Sequence, residues 1–230
     1  MEDNGAMEYQ CKAMSVEGFI QQLAVCYVGR GYWFYVEGWI PETKSPEAVD
    51  EKLIEKYGID LSKYQRCRRK RAGYANMQYI RSGRYFLLLA THGVHDFFEE
   101  EAGNIKDVRR RPIKYGGYSV SYSNQTASVR IEQDTYKDLR AYFLEMAVKR
   151  SKKALERDFR SLPLEPYAPV RRQLWSLFRL TSAKRKTAAL PSLDPSCLRL
   201  KRKIYKPFEK IPPILEKPEQ DTANKIIQTV

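Results

Sequence analysis

The sequence predicts an α+β fold, and three segments lead to that prediction. Residues 32–40, Tyr-Trp-Phe-Tyr-Val-Glu-Gly-Trp-Ile, are dense in aromatic and β-branched types and read as a strand closed by Pro41. Residues 84–91 form a continuous apolar run between Gly83 and Gly93, the pattern of a strand buried on both faces. In 117–123 and 127–132, Tyr118, Val120, Tyr122, Val129 and Ile131 alternate with polar residues around Asn124-Gln125, which predicts a hairpin.

The remaining elements follow in chain order. Residues 1–14 lack periodicity and are expected to be disordered. Ser15 can cap a short helix bearing Phe19, Ile20, Leu23 and Ala24, which Gly29 and Gly31 end. Ser45-Pro46-Glu47 opens a second helix, with Val49, Leu53, Ile54 and Tyr57 at helical spacing and Gly58 as its stop. From Asp60 to Ile80 basic and aromatic residues mix, which suggests a further helix and a loop. Phe97 to Glu101 reads as an acidic helix or loop. A long helix capped by Asp134 or Thr135 places Leu139, Tyr142, Phe143, Met146, Ala147 and Leu155 on one stripe and is expected to reach Phe159. Prolines make 162–169 a rigid connector, after which Val170 to Lys186 reads as an amphipathic helix with Leu174, Trp175, Leu177 and Phe178.

These elements predict four regions: a disordered 1–14, an α+β core at 15–160, a Pro-rich connector with a basic helical extension at 161–206, and a flexible tail at 207–230. The element order suggests a ferredoxin-like or RRM-like, mostly antiparallel sheet with helices on one face and a helical C-terminal extension. Its open face would then present Tyr32, Tyr35, Tyr118 and Tyr122 for stacking, unless those rings pack inward.

Charge narrows the partner. The 230 residues include 41 Lys and Arg against 28 Asp and Glu, a net +13. No stretch approaches the ~20 apolar residues of a membrane span, and the first residues carry Glu2, Asp3 and Glu8 with no apolar segment, so a cytoplasmic protein with no membrane partner is expected. Cys11, Cys26, Cys67 and Cys197 stand far apart, which argues against a zinc knuckle or a redox dithiol. The cations cluster. Arg66, Arg68, Arg69, Lys70 and Arg71, followed by Tyr74, form one group, and Arg109, Arg110, Arg111 and Lys114 another. Further groups are Lys149 to Lys153, Lys184 to Lys186 and Arg199 to Lys203. Arginines this closely spaced repel one another on an isolated helix and become favourable against phosphates, so the leading expectation is a DNA- or RNA-binding protein, in replication or mobile-element processing.

A rival expectation comes from the two histidines. Both lie in Thr91-His92-Gly93-Val94-His95, after the strongest strand, with Asp96, Glu99, Glu100 and Glu101 downstream. His92, His95 and Glu99 together are a candidate set of ligands for Mn²⁺ or Mg²⁺. Over about residues 30–150 the sequence resembles the HUH-type single-strand endonucleases of rolling-circle replication initiators and small transposases. The resemblance implies a metal-dependent nickase with Tyr136 as nucleophile beside Lys137 and Arg140, and Tyr142 as a second candidate. The histidines stand at i and i+3, so this site requires Gly93 to break the strand. A third expectation is a ribonucleoprotein subunit whose C-terminal extension docks on protein.

Overall fold

A computed structural model describes residues 9–209 and divides the chain into two compact units, one reaching Arg111 and rejoined by Lys206 to Glu209, the other running from Pro112 to Tyr205. The division falls at Arg111–Pro112, inside the 15–160 core that the sequence predicts. Among the described residues no helix is long and apolar enough to cross a membrane. Expectations for residues 1–8 and 210–230 lie outside the described residues.

The first unit is built on five strands: β1 (Lys12–Ala13), β2 (Phe34–Trp39), β3 (Met77–Ser82), β4 (Tyr85–Ala90) and β5 (Lys106–Asp107). They lie in the order β1-β3-β4-β2-β5, so the apolar run at 84–91 is the central strand, as its composition predicts. β4 is antiparallel to both β2 and β3, which therefore run parallel to each other on either side of it. The chain crosses between them through α2 (Pro46–Lys56) and α3 (Lys63–Arg71). Such a crossover between parallel strands needs a dozen or more residues, and here it is helical. Residues 9–14 are not structureless: β1 pairs in parallel with β3, and Tyr9 Oη accepts from the Tyr79 N–H at 3.0 Å.

Register assigns the two faces. Tyr35, Ile80, Leu87 and Leu89 share one face with Tyr85, whose ring centroid lies 6.0 Å from that of Phe19 on α1 (Val16–Gln21). Met77, Tyr79, Leu88 and Ala90 share the other with Tyr57, Ile59 and Phe97, against which Leu53 and Ile54 of α2 also pack. Helices thus cover both faces rather than one. The expected open aromatic face is closed, with Tyr32 8% and Tyr35 1% exposed. Strand β3 was not legible as a strand, because each of its faces carries a polar residue: Gln78 on one, Arg81 on the other.

Arg81 is tolerated there because Asp50 of α2 meets it. The Arg81 Nε and Nη2 donate to Asp50 at 2.9 and 2.7 Å, and Tyr79 Oη donates to the same carboxylate at 2.6 Å. The thiol of Cys11 beside this group is pushed up to about 12 by burial and by the Asp50 charge.

In the second unit β6 (Ile113–Tyr115), β7 (Tyr118–Ser123) and β8 (Thr126–Ile131) form their own antiparallel sheet, so the expected hairpin forms but does not extend the first sheet. Asn124 and Gln125 take φ of 50° and 59°, the left-handed pair of a type I′ turn. Tyr118 is buried, its hydroxyl accepting from the Glu165 backbone N–H at 2.7 Å, and Tyr122 is half-buried. The helix expected to reach Phe159 is two: α5 (Gln133–Lys149) and α6 (Lys152–Ser161), broken where Ser151 caps the second by accepting from Ala154 N–H. Glu132, rather than Asp134 or Thr135, caps α5. α7 (Ala168–Thr187) follows the connector and carries the buried Arg185, which donates to the α5 carbonyl of Ala147 at 2.8 Å and to that of Arg150 at 3.0 Å. Cationic donors on terminal carbonyls complete a helix C-terminus.

Removing one partner of a buried ion pair leaves a desolvated charge, at a cost of about 3–5 kcal/mol. Asp50→Ala is therefore expected to lower the unfolding free energy of the first unit by about 3 kcal/mol or more, measured by urea denaturation followed by tryptophan fluorescence, whereas Glu47→Ala, whose side chain is 62% exposed, is expected to change it by less than about 1 kcal/mol.

Candidate functional site

The most unusual element of the first unit is α3. It has nine residues, Lys-Tyr-Gln-Arg-Cys-Arg-Arg-Lys-Arg, of which none is buried and none is acidic. A helix normally earns its place by burying a stripe; this one is held by its ends and by polar contacts. Ser62 and Gln65 form a capping box, with Gln65 N–H donating to Ser62 Oγ at 3.3 Å and Ser62 N–H to Gln65 Oε1 at 2.7 Å. At the far end the Tyr74 N–H donates to the Arg69 carbonyl at 3.0 Å, and Asn76 Nδ2 donates to the Arg66 carbonyl at 3.0 Å.

Its arginines divide into two sets. Arg66 and Arg69, three apart and half-buried, turn inward: Arg66 Nη1 donates to the Leu61 carbonyl at 2.5 Å and Arg69 Nη2 to the Ala75 carbonyl at 3.2 Å, with the Arg69 guanidinium 5.5 Å from the Tyr74 ring centroid. Lys63, Arg68, Lys70 and Arg71 are exposed and form no ion pair or side-chain hydrogen bond among the described residues. Tyr64 stands out with them at 79% exposure, one turn before Arg68, and Tyr74 is 48% exposed.

The histidine loop supports this helix. Gly93 has φ of 139°, and a Cβ there would lie 2.4 Å from Ala75 N and 2.6 Å from Tyr74 C. That close approach lets Val94 N–H donate to the Gly73 carbonyl and Ala75 N–H to the Val94 carbonyl, both at 3.0 Å. β4 ends at Ala90, before either histidine, so Gly93 lies in the loop beyond it, and the histidines do not converge. His92 is exposed. Nδ1 of His95 accepts from the Phe97 N–H at 3.1 Å, which leaves Nε2 protonated and facing the Tyr57 carbonyl at 3.3 Å. Both ring nitrogens are thus occupied at the start of α4 (Phe97–Glu100), where Glu99 is exposed. Among the described residues no three His, Cys, Asp or Glu side chains group closely enough to hold a metal ion. Burial and the nearby Arg69 hold the His95 imidazole below its ordinary value, against the opposing pull of the Tyr57 carbonyl.

The second basic segment is partly absorbed by the fold. Arg109 donates through Nε and Nη2 to Asp107 at 2.9 and 2.7 Å and lies 4.6 Å from the Trp33 ring centroid. Its hydrogen bonds hold the Asp107 carboxyl below the usual range. Arg110 and Arg111 are exposed, the Arg111 carbonyl accepting from Tyr35 Oη at 3.0 Å. Lys114 belongs to the second unit and lies 2.6 Å from the Glu132 carboxylate that caps α5. Tyr136 is also in the second unit, half-buried in the first turn of α5, with Lys137 paired to Asp134 at 2.8 Å and Arg140 exposed. Tyr142 is tied into a buried group, donating to Asp158 at 3.1 Å and accepting from Arg150 at 2.8 Å. No protein-family model matches the chain, and no curated protein matches it.

Two outcomes test the support under α3. Gly93→Ala forces a positive φ and a backbone clash and is expected to destabilise by about 2 kcal/mol or more, seen as a lower urea midpoint. Because the folded pKa of His95 lies below the ordinary imidazole value, the unfolded chain takes up its proton first as pH falls. The His95 contribution to stability is thus present above the ordinary imidazole value of about 6.5 and is lost as pH falls below it through the lowered folded value, a slope that His95→Asn is expected to reduce.

Proposed function

We propose that the protein binds single-stranded nucleic acid along the outward face of α3. The observation that carries this reading is the composition of the helix itself: six cations in nine residues, no acidic residue and no buried side chain, so packing accounts for none of its exposed charge. Close like charges on one helix cost self-repulsion in isolation. A line of phosphates turns that cost into a gain through the release of condensed counterions. Lys63, Arg68, Lys70 and Arg71 supply phosphate contacts, and Arg110 and Arg111 are secondary candidates. Tyr64 and Tyr74 offer rings to unstacked bases, which is why a single strand is favoured over a duplex.

The crossover from β2 to β3 with β4 inserted between them is a split β-α-β arrangement, and we read it as one half of a ferredoxin-like or RRM-like sheet. On this reading, binding does not use the sheet face, which helices cover, but the second helix of the crossover. Binding is favoured over metal-dependent nicking because both nitrogens of His95 are already engaged.

Fluorescence anisotropy with labelled single-stranded and duplex DNA and RNA, titrated across salt, tests this. Arg68→Ala, Lys70→Ala and Arg71→Ala are each expected to reduce the slope of log K against log salt by roughly 0.7 for a single strand. Lys114→Ala, whose ammonium already pairs with Glu132, is expected to leave that slope unchanged. Salt-independent affinity, or equal slopes in all four variants, would sink the proposal.

A further inference from the structure

The N-terminal end of α3 forms one wall of an open groove of about 1160 Å³ in the first unit. Sites for small molecules usually fall at ~300–1,000 Å³, so the groove has room for a nucleotide and its hydration. Its opposite wall is the segment Gln22–Tyr27, where α1 widens into a π-helix as the Val28 N–H reaches back to the Leu23 carbonyl, before Gly31 closes the turn at φ of 97°. Insertions of this kind are frequent at functional sites.

The lining has a definite chemistry. Tyr9, Tyr32 and Gln78 make a polar relay: Tyr9 Oη donates to Gln78 Oε1 at 2.7 Å, and Gln78 Nε2 donates to Tyr32 Oη at 3.4 Å. Tyr32 Oη then keeps its own proton, and Gln78 Nε2 a second one, with no acceptor among the described residues. Tyr27 lies edge-on to Tyr32 with centroids 5.9 Å apart. Gln22 and Gln65 add side-chain amides on the two walls. Arg30, Lys63 and Arg66 place three cations against the single carboxylate of Asp60. Aromatic edges, amide N–H donors and a cationic rim suit a base with its phosphate.

We infer that this groove receives one unstacked base of a single-stranded nucleic acid, the adjoining phosphates running on to the outward cations of α3. This rests on the reading of α3 as a nucleic-acid surface and adds to it a place where the strand is gripped by its bases. A polyanion without bases, such as heparin, can satisfy α3 but has nothing to place among Tyr32, Gln78 and Gln22.

Two exposed thiols report on the two places separately. Cys26 lines the groove and Cys67 lies on α3, whereas Cys11 and Cys197 are buried. The full chain is treated with N-ethylmaleimide alone, with heparin, or with a twelve-nucleotide single strand, and alkylation at each cysteine is followed by peptide mass spectrometry while anisotropy records binding. The single strand is expected to slow modification of both Cys26 and Cys67 by at least about fivefold, and heparin that of Cys67 alone. Cys26→Trp, which fills the groove, is expected to weaken the single strand by at least about fivefold and leave heparin unaffected. If the bound strand shields Cys67 and leaves Cys26 at its free rate, the groove proposal fails and the α3 reading stands. If no polyanion binds, both fail.

Discussion

The first unit depends on a single carboxylate. Asp50 projects from α2 onto β3 and takes hydrogen bonds from both Tyr79 and Arg81, two residues on the same face of an interior strand. A guanidinium with 3% of its side chain exposed is stable only with such a partner, because desolvation outweighs any surface attraction. The same contact decides where α2 lies across the sheet. Since α3 follows α2 after a short link and must return the chain to β3, fixing α2 fixes the start of α3 as well. The buried charge is therefore a positioning device: it sets the crossover, and the crossover carries the basic helix.

What α2 does at one end, the loop after β4 does at the other. Gly93 allows the chain to press against residues 73–75, and Thr91 Oγ1 accepts from Asn76 N–H at 2.9 Å, so the segment leaving α3 is pinned by backbone pairing. His95 sets the loop's direction by accepting from the Phe97 N–H and starting α4. Neither residue is needed for apolar burial. Together they hold a helix that contributes nothing to the core, which separates the task of folding from the task carried by its surface.

Most elements were legible in the sequence because their patterns were clean. β2, β4, the hairpin and α2 each carry one periodicity with a turn or cap at its end, and each forms where that pattern stands. β3 escaped because Gln78 and Arg81 interrupt both of its faces, and what makes those residues acceptable, Tyr9, Tyr32 and Asp50, lies 31 to 69 positions away. A local window cannot see such a partner. The same blindness affected the site. The cluster at 66–71 was evident by composition, yet only the fold shows that Arg66 and Arg69 serve Leu61 and Ala75 while Arg68, Lys70 and Arg71 face out. The histidines drew attention by their rarity, and rarity does not say which lone pair is already in use.

The distribution of partners among the cations gives the functional argument its force. Arg81, Arg185 and Lys114 each meet carboxylates or terminal carbonyls, and Arg150 pairs with the fully buried Asp158 at 2.5 Å. Those charges would be present in a protein with no charged ligand at all, because the fold uses them. Net charge alone is therefore weak grounds for a polyanionic partner. The cations that remain after the fold has taken its share are the informative ones, and on α3 they lie on one face of one short helix with a tyrosine between them. A solvated surface requires charge, but it gains nothing from concentrating one sign, which raises self-repulsion and lowers helix stability. On the proposed reading, the concentration answers a ligand whose own charges are equally concentrated, as those of a nucleic-acid backbone are.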